Sequence, residues 1–122
     1  MVTVLVTIAA GIGAMSRYLA DGAVRRRVRN GFPAGTLVVN ISGSFLLGLI
    51  VGLTAHHGLA TSTAVVIGAG FTGGYTTLST WAWETFALAD REATAAAALN
   101  VVGSLALGML AGAAGLGLAL VG

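Results

Sequence analysis

Apolar residues dominate this chain in four long runs, at about residues 2–20, 36–55, 63–88 and 93–121, and polar residues gather in the three short stretches between them. A helix needs about 20 predominantly apolar residues to cross the hydrocarbon core of a bilayer. Each run reaches or approaches that length, and the runs with their short loops use up the chain. The pattern predicts an all-α membrane protein of four transmembrane helices, a single membrane domain over residues 1–122. The first run has no basic segment before it and arginines after it, the reverse of a secretory signal peptide, so it reads as a retained helix. The fourth run is longer than a span needs, which predicts tilt or a projecting end.

The third run departs from this pattern in its middle. Gly68 to Glu84 reads GAGFTGGYTTLSTWAWE, with Gly68, Gly70, Gly73 and Gly74 followed by a series of hydroxyls, two tryptophans and an acid. Glycine-interrupted, hydroxyl-rich backbone is tolerated at membrane depth only where it is buried in protein or lines a polar cavity. An unwound or closely packed segment beside a permeation path or binding site is expected here.

The second run carries a stripe: Asn40, Ser44, Gly48 and Gly52 recur at steps of four, on one helix face. Small residues in such a stripe let another backbone approach closely. The Asn40 amide needs partners in hydrocarbon, and two readings stand side by side, an interhelical hydrogen bond or a donor facing a pore. The stripe recurs sixty residues later, NISGSFLLGLIVG at 40–52 against NVVGSLALGMLAG at 100–112, so Asn100 and Ser104 match Asn40 and Ser44. A more distant echo joins AGIGAM at 10–15 to AGFTGG at 69–74. Both point to a duplicated two-helix hairpin, each copy entering the membrane from the same side, a parallel repeat.

Composition sharpens the class. Charged residues are 8% of the chain and hydrophobic residues 57%, where a soluble domain carries charge on about a quarter of its positions; the mean hydropathy is +0.95. With no cysteine, disulfides and thiolate metal sites are excluded. The basic balance comes from six arginines and no lysine. Arg17 ends the first span, Arg25, Arg26, Arg27 and Arg29 lie in the first loop (Asp21 to Gly35), and Arg91 lies in the third. This clustering reads as membrane topology and not as nucleic-acid binding: in the plasma (inner) membrane, the arginine-rich first loop is cytoplasmic and both termini are outside. Arg17 and Tyr18 read as an interfacial anchor, with the arginine snorkelling toward the headgroups. His56 and His57 read as an interfacial pair, with no third ligand near enough for a metal. No nucleophile–base pair is visible, so the chain is not expected to be an enzyme.

GTLVVNISGSFLLG at 35–48, GFTGGYTTLST at 70–80 and GAMSRY at 13–18 resemble the hallmark segments of the Fluc/CrcB fluoride channels, across essentially the whole chain. The resemblance implies four-helix subunits assembled as antiparallel, dual-topology-type dimers with two fluoride pathways. It also implies a structural sodium ion at the dimer centre, held by main-chain carbonyls at a break in the third helix at Gly73–Thr76, with Gly73 and Thr76 matching the ligand positions. Asn40 matches the family's pore asparagine, Ser79 and Thr80 its hydroxyls on the third helix, and Glu84 an acid just beyond them. Asn100 and Ser104 lie where the family places a polar track, and Ser44 extends the Asn40 stripe beside the path. One departure stands out. The family pattern has phenylalanines three apart on the third helix, their positive ring edges lining the ion's path; this chain has Leu78 and Trp81 there. Trp81 keeps an aromatic edge and adds an indole N–H; Leu78 offers neither.

The function expected on this basis is passive, fluoride-selective export of cytoplasmic fluoride, with fluoride, lipid and a dimer partner as the interacting species. The strong arginine bias opposes insertion in both orientations, so pairing with an oppositely oriented homologue that supplies the aromatics is the expected arrangement. Two alternatives remain at this point: an accessory subunit of a heteromeric fluoride channel, and a proton-coupled exporter of the small multidrug-resistance type. The exporter needs an ionisable residue deep in the membrane, yet the first span has no acid before Asp21 and Glu84 lies toward one end of the third.

Overall fold

A computed structural model describes residues 1–122, and every regular element in it is helical. Three helices are long and apolar enough to cross a membrane: α1 (Val2–Arg27), α2 (Ala34–His56) and α6 (Thr94–Val121), with mean hydropathies of 1.5, 2.0 and 2.0 over their best stretches. Between α2 and α6 the chain is helical in pieces. A short α3 (Thr61–Val65) runs into a π-helical segment (Val66–Thr72), one α turn follows as α4 (Gly73–Tyr75), and α5 (Ser79–Asp90) resumes after a gap. Neither arm of this composite reaches the ~20 residues of a full crossing.

Helix α1 continues past the apolar run through Arg27, so Asp21 and Arg25 lie one turn apart on a helix and not in a loop. The loop proper is short. Asn30 Oδ1 accepts from the Phe32 N–H at 3.1 Å, and Gly31 takes a φ of +79°, the left-handed conformation that glycine adopts without a Cβ penalty. At the opposite end of the molecule, His57 Nε2 donates to the carbonyl of Ala119, tying the second loop to the end of α6.

Glycines set the packing. A Cβ on Gly48 would overlap the carbonyl of Gly112, one on Gly115 the carbonyl of Phe45, and one on Gly52 the methyl of Ala119, so α2 and α6 meet backbone to backbone along the repeated stripe. A second tight pair forms between α1 and the composite arm, where Gly13 meets the Phe71 carbonyl, Gly74 the Ala10 carbonyl and Gly70 the backbone of Val6. Close approach of this kind is what small residues provide where lipid gives no hydrophobic drive to helix association. The buried apolar core is correspondingly small: Val39, Ile50, Leu88, Ala97 and Ala119. Gly48→Ala is therefore expected to destabilise the fold by about 1–3 kcal/mol, the usual cost of overpacking. Gly117→Ala, whose added Cβ meets nothing within 4 Å, is expected to be neutral. Thermal unfolding in detergent distinguishes them; equal melting temperatures would contradict this packing.

The interruption itself falls one turn later than Gly73–Thr76. Gly73–Tyr75 is still a helical turn, because both the N–H and the hydroxyl of Thr76 donate to the Thr72 carbonyl at 2.9 Å. Thr76 then turns extended, with φ −79° and ψ 162°, and the helix does not resume until Ser79.

Candidate functional site

The gap at Thr76–Leu78 is held open by side chains from two neighbouring helices. Asn40 on α2 donates from Nδ2 to the Thr77 carbonyl and accepts the Thr77 N–H on Oδ1, both at 2.9 Å. In an uninterrupted helix that N–H would go to the Gly73 carbonyl four residues back, so the Asn40 clamp leaves Gly73 without its helical donor. Arg17 on α1 donates from Nη1 to the Thr76 carbonyl at 3.1 Å. Its guanidinium thus points into the protein, against the expected snorkelling, because an unpaired carbonyl at the gap is a better acceptor than anything on the lipid face. Tyr18, by contrast, is exposed.

Thr77 is the hub of the segment. Besides its two main-chain bonds to Asn40, its Oγ1 accepts from the Thr80 N–H at 3.2 Å and donates to Thr80 Oγ1 at 3.1 Å, capping the first turn of α5. Ser79 Oγ lies 3.5 Å from the same hydroxyl. The Thr80 hydroxyl proton is left free by this arrangement. Thr77 is not among the site residues expected from sequence, although a threonine just before a helical stretch is a helix-start signal.

Around this hub lies an open groove of about 320 Å³, lined by Asn40, Gly43, Ser44, Thr72, Gly73, Thr76, Thr77 and Leu78 among others. Leu78 is 76% exposed on its edge. Ser44 donates to the carbonyl of Asn40 at 2.8 Å, so its proton is used within α2. Thr72 Oγ1 is buried with no hydrogen-bond partner.

The other expected site residues lie elsewhere. Asn100, 1% exposed, fastens α6 to α5: its Nδ2 donates to Thr85 Oγ1 at 2.8 Å, and its carbonyl accepts from the Trp81 indole Nε1 at 3.3 Å. Thr85 Oγ1 in turn donates to the Trp81 carbonyl at 2.8 Å, and Ser104 Oγ donates to Asn100 Oδ1 at 3.5 Å. The Trp81 N–H is therefore already in use inside the chain. Glu84 belongs to a third neighbourhood. Its Oε1 accepts from Arg25 Nη2 at 2.7 Å, while Arg25 Nε is shared between the two carboxylate oxygens of Asp21 at 2.9 Å. Asp21 also packs against the first turn of α2, where a Cβ on Gly35 would overlap its carboxylate. Asn40, Ser44, Thr76 and Leu78 thus share one groove, and Trp81, Asn100 and Ser104 share the α5–α6 contact. One chain does not bring the two sets together.

Comparison with known proteins bears on what this arrangement is for. A family model described as "CrcB-like protein, Camphor Resistance (CrcB)" matches residues 4–116. Among curated relatives, a protein of Leifsonia xyli subsp. xyli named "Fluoride-specific ion channel FluC 1" is 45% identical over 118 residues, covering 97% of this chain and 85% of its own length. A protein of the same name from Symbiobacterium thermophilum is 44% identical over 119 residues, covering 96% and 94%. "Fluoride-specific ion channel FluC 2" of Cutibacterium acnes is 39% identical over 119 residues, covering 97% of both chains.

Proposed function

This chain belongs to the CrcB family, and from that membership we propose that it is a fluoride-selective channel through which cytoplasmic fluoride leaves the cell passively. The observation that carries the proposal is the clamped, non-helical Thr76–Leu78 segment on an open groove that holds Asn40, Ser44 and Thr76, with relatives named as fluoride-specific channels along nearly the whole chain. A small, tightly hydrated anion needs substitute donors along its route, and selectivity follows from their number and spacing. An amide NH₂ has two hydrogens; Asn40 uses one on Thr77, leaving the other for the ion, while Thr80 with its free hydroxyl proton lines a separate cavity across Thr77. With Glu84 paired to Arg25, the exporter alternative loses the free membrane acid on which proton exchange depends.

The working unit in our reading is an antiparallel dimer of chains that each cross the membrane four times, the composite arm from Thr61 to Asp90 making the third crossing. Two features support it: the groove is open on one side, and the polar residues of α6 lie on a different face of the same chain, so a continuous route needs a second copy. The arginine end faces the cytoplasm and both termini face outward, by the positive-inside bias. A structural sodium ion fits part of its expected site. Gly73 has a carbonyl without its helical donor, and the place a Cβ would take there is open. The Thr76 carbonyl already accepts one bond from Arg17, leaving one lone pair. Two oxygens from one chain fall short of the roughly six that hard cations gather, so the partner chain supplies the rest. The ion, when bound, contributes positive charge that draws the two interrupted arms together.

Fluoride efflux from liposomes, with chloride as control, tests the proposal. The expected result is rapid loss of fluoride with chloride retained; loss of both alike would contradict selectivity. A second reading, an accessory subunit that conducts only beside an oppositely oriented homologue, is favoured by the exposed Leu78 and by the Trp81 N–H already in use. Under that reading the chain alone is silent, and co-reconstitution with the homologue restores flux.

A further inference from the structure

At the arginine end, a cavity of about 370 Å³ lies between the last turn of α1, the first loop and the outer half of α5. Its walls divide by chemistry. Val28, Phe32, Pro33, Ala87 and Leu88 form an apolar side, while Arg25 and Arg91 bring guanidinium groups from two separate parts of the chain. We propose that this cavity binds the phosphate headgroup of an anionic phospholipid, with Arg91 and the Nη1 group of Arg25 as donors and the apolar side receiving the start of an acyl chain.

An unpaired cation in the wall favours an anion. Arg91 takes part in neither ion pair of the structure. Asp90 and Glu92 flank it in sequence, but neither lines the cavity. Arg25 is tied to Asp21 through Nε and to Glu84 through Nη2, which leaves Nη1 without a partner. The one acid in the wall, Glu84, has Oε1 on Arg25, so its charge is offset within the wall and Arg91 is the cation left over. The apolar side selects the source of the phosphate. A free inorganic ion leaves that half of the cavity without contact, whereas a lipid presents phosphate and hydrocarbon together. The surroundings match the membrane interface: Trp83 and Phe86 stack with ring centroids 6.5 Å apart and are 68% and 64% exposed, an aromatic pair of the kind that sits at headgroup level. Basic pockets between transmembrane helices are recurrent sites for phosphorylated headgroups. This site is independent of the fluoride route, since neither arginine touches the Thr76–Leu78 groove.

Native mass spectrometry of the purified full chain, titrated with phosphatidylglycerol and with phosphatidylcholine, tests the site. The wild type is expected to retain phosphatidylglycerol about fivefold better, the factor one arginine contributes near an anionic surface. Arg91→Gln is expected to remove that preference. Arg29→Gln, which deletes the same charge from the same end but outside the cavity, is expected to preserve it. Ala87→Trp fills the cavity without changing any charge and is expected to act like Arg91→Gln, which guards against a folding defect in either variant. Equal loss with Arg29→Gln and Arg91→Gln would mean diffuse attraction and overturn the site, as would a wild type with no preference. Displacement of the lipid by an equal concentration of glycerol phosphate would overturn the lipid assignment in favour of a free phosphate ester.

Discussion

Asn40→Ala is expected to reduce fluoride efflux by on the order of tenfold or more, that is, at least ~1.4 kcal/mol on the barrier, while the chain stays folded and assembled. Asn40 does two jobs with one amide. One N–H and the carbonyl oxygen hold the Thr77 main chain away from a helical path, and the second N–H remains for an ion. Truncation removes both. A buried main-chain group left without a partner costs about 1–3 kcal/mol, which would argue for a large loss of stability. Here an alternative partner lies close at hand: without the clamp, the Thr77 N–H is free to reach the Gly73 carbonyl and extend α4 by a turn. The lost interaction is thus largely replaced, and net stability falls by no more than the ~0.6 kcal/mol that interhelical hydrogen bonds average in membranes. Function falls because the gap closes. Asn40→Asp keeps the acceptor half of the clamp, for the Thr77 N–H, loses the donor to the Thr77 carbonyl, and places a negative charge on the proposed anion route. It is expected to keep residues 73–78 as exchange-labile as wild type in amide hydrogen exchange, yet to be silent in efflux. Wild-type efflux from Asn40→Ala, measured with a fluoride electrode, would remove this residue from the mechanism.

That the Asn40 amide needs a partner was legible in the sequence; which partner was not. Spacing places Asn40, Ser44, Gly48 and Gly52 on one face of a helix, and the repeat extends that inference to Asn100, which proves almost wholly buried. The three long helices follow the first, second and fourth apolar runs for the same reason: length and hydropathy are local properties. Which atoms meet across helices depends on their relative depth and rotation, and no local pattern records that. So Arg17 read as a snorkelling anchor when it reaches the Thr76 carbonyl, and the Trp81 indole read as a donor to the ion when it donates to Asn100. The stretch Asp21–Arg27 read as loop because a run of charge looks alike on a solvated loop and on a helix projecting beyond the bilayer. Only the projecting helix puts Asp21 and Arg25 one turn apart and lets Arg25 reach Glu84. The π-helical segment has no signature beyond its glycines. It packs closely on α1 through Gly70 and Gly13, a tertiary contact that no local pattern records.

Leu78→Phe is expected to raise fluoride efflux from the chain reconstituted alone by about fivefold. The edge of a phenyl ring carries the positive part of the aromatic quadrupole and attracts an anion, and contacts of this general strength are worth about 1 kcal/mol. A branched aliphatic side chain has no such edge. Leu78 sits at the rim of the groove and is 76% exposed within its own chain, so a larger ring fits there without displacing any core residue. Trp81 cannot make up the deficit with its N–H, which lies 3.3 Å from the Asn100 carbonyl. If the ring edge were irrelevant, Leu78→Phe and Leu78→Met would behave alike, since both enlarge or lengthen the side chain at the same exposed position. A gain confined to phenylalanine assigns the deficit to missing quadrupole. No gain from phenylalanine alone, but a gain when wild-type chain is mixed with an oppositely oriented homologue, moves the deficit to orientation: the arginine bias, and not Leu78, then decides whether this chain conducts by itself. The two outcomes separate chemistry at the proposed ion path from topology at the membrane, and one flux assay on four reconstitutions reads both.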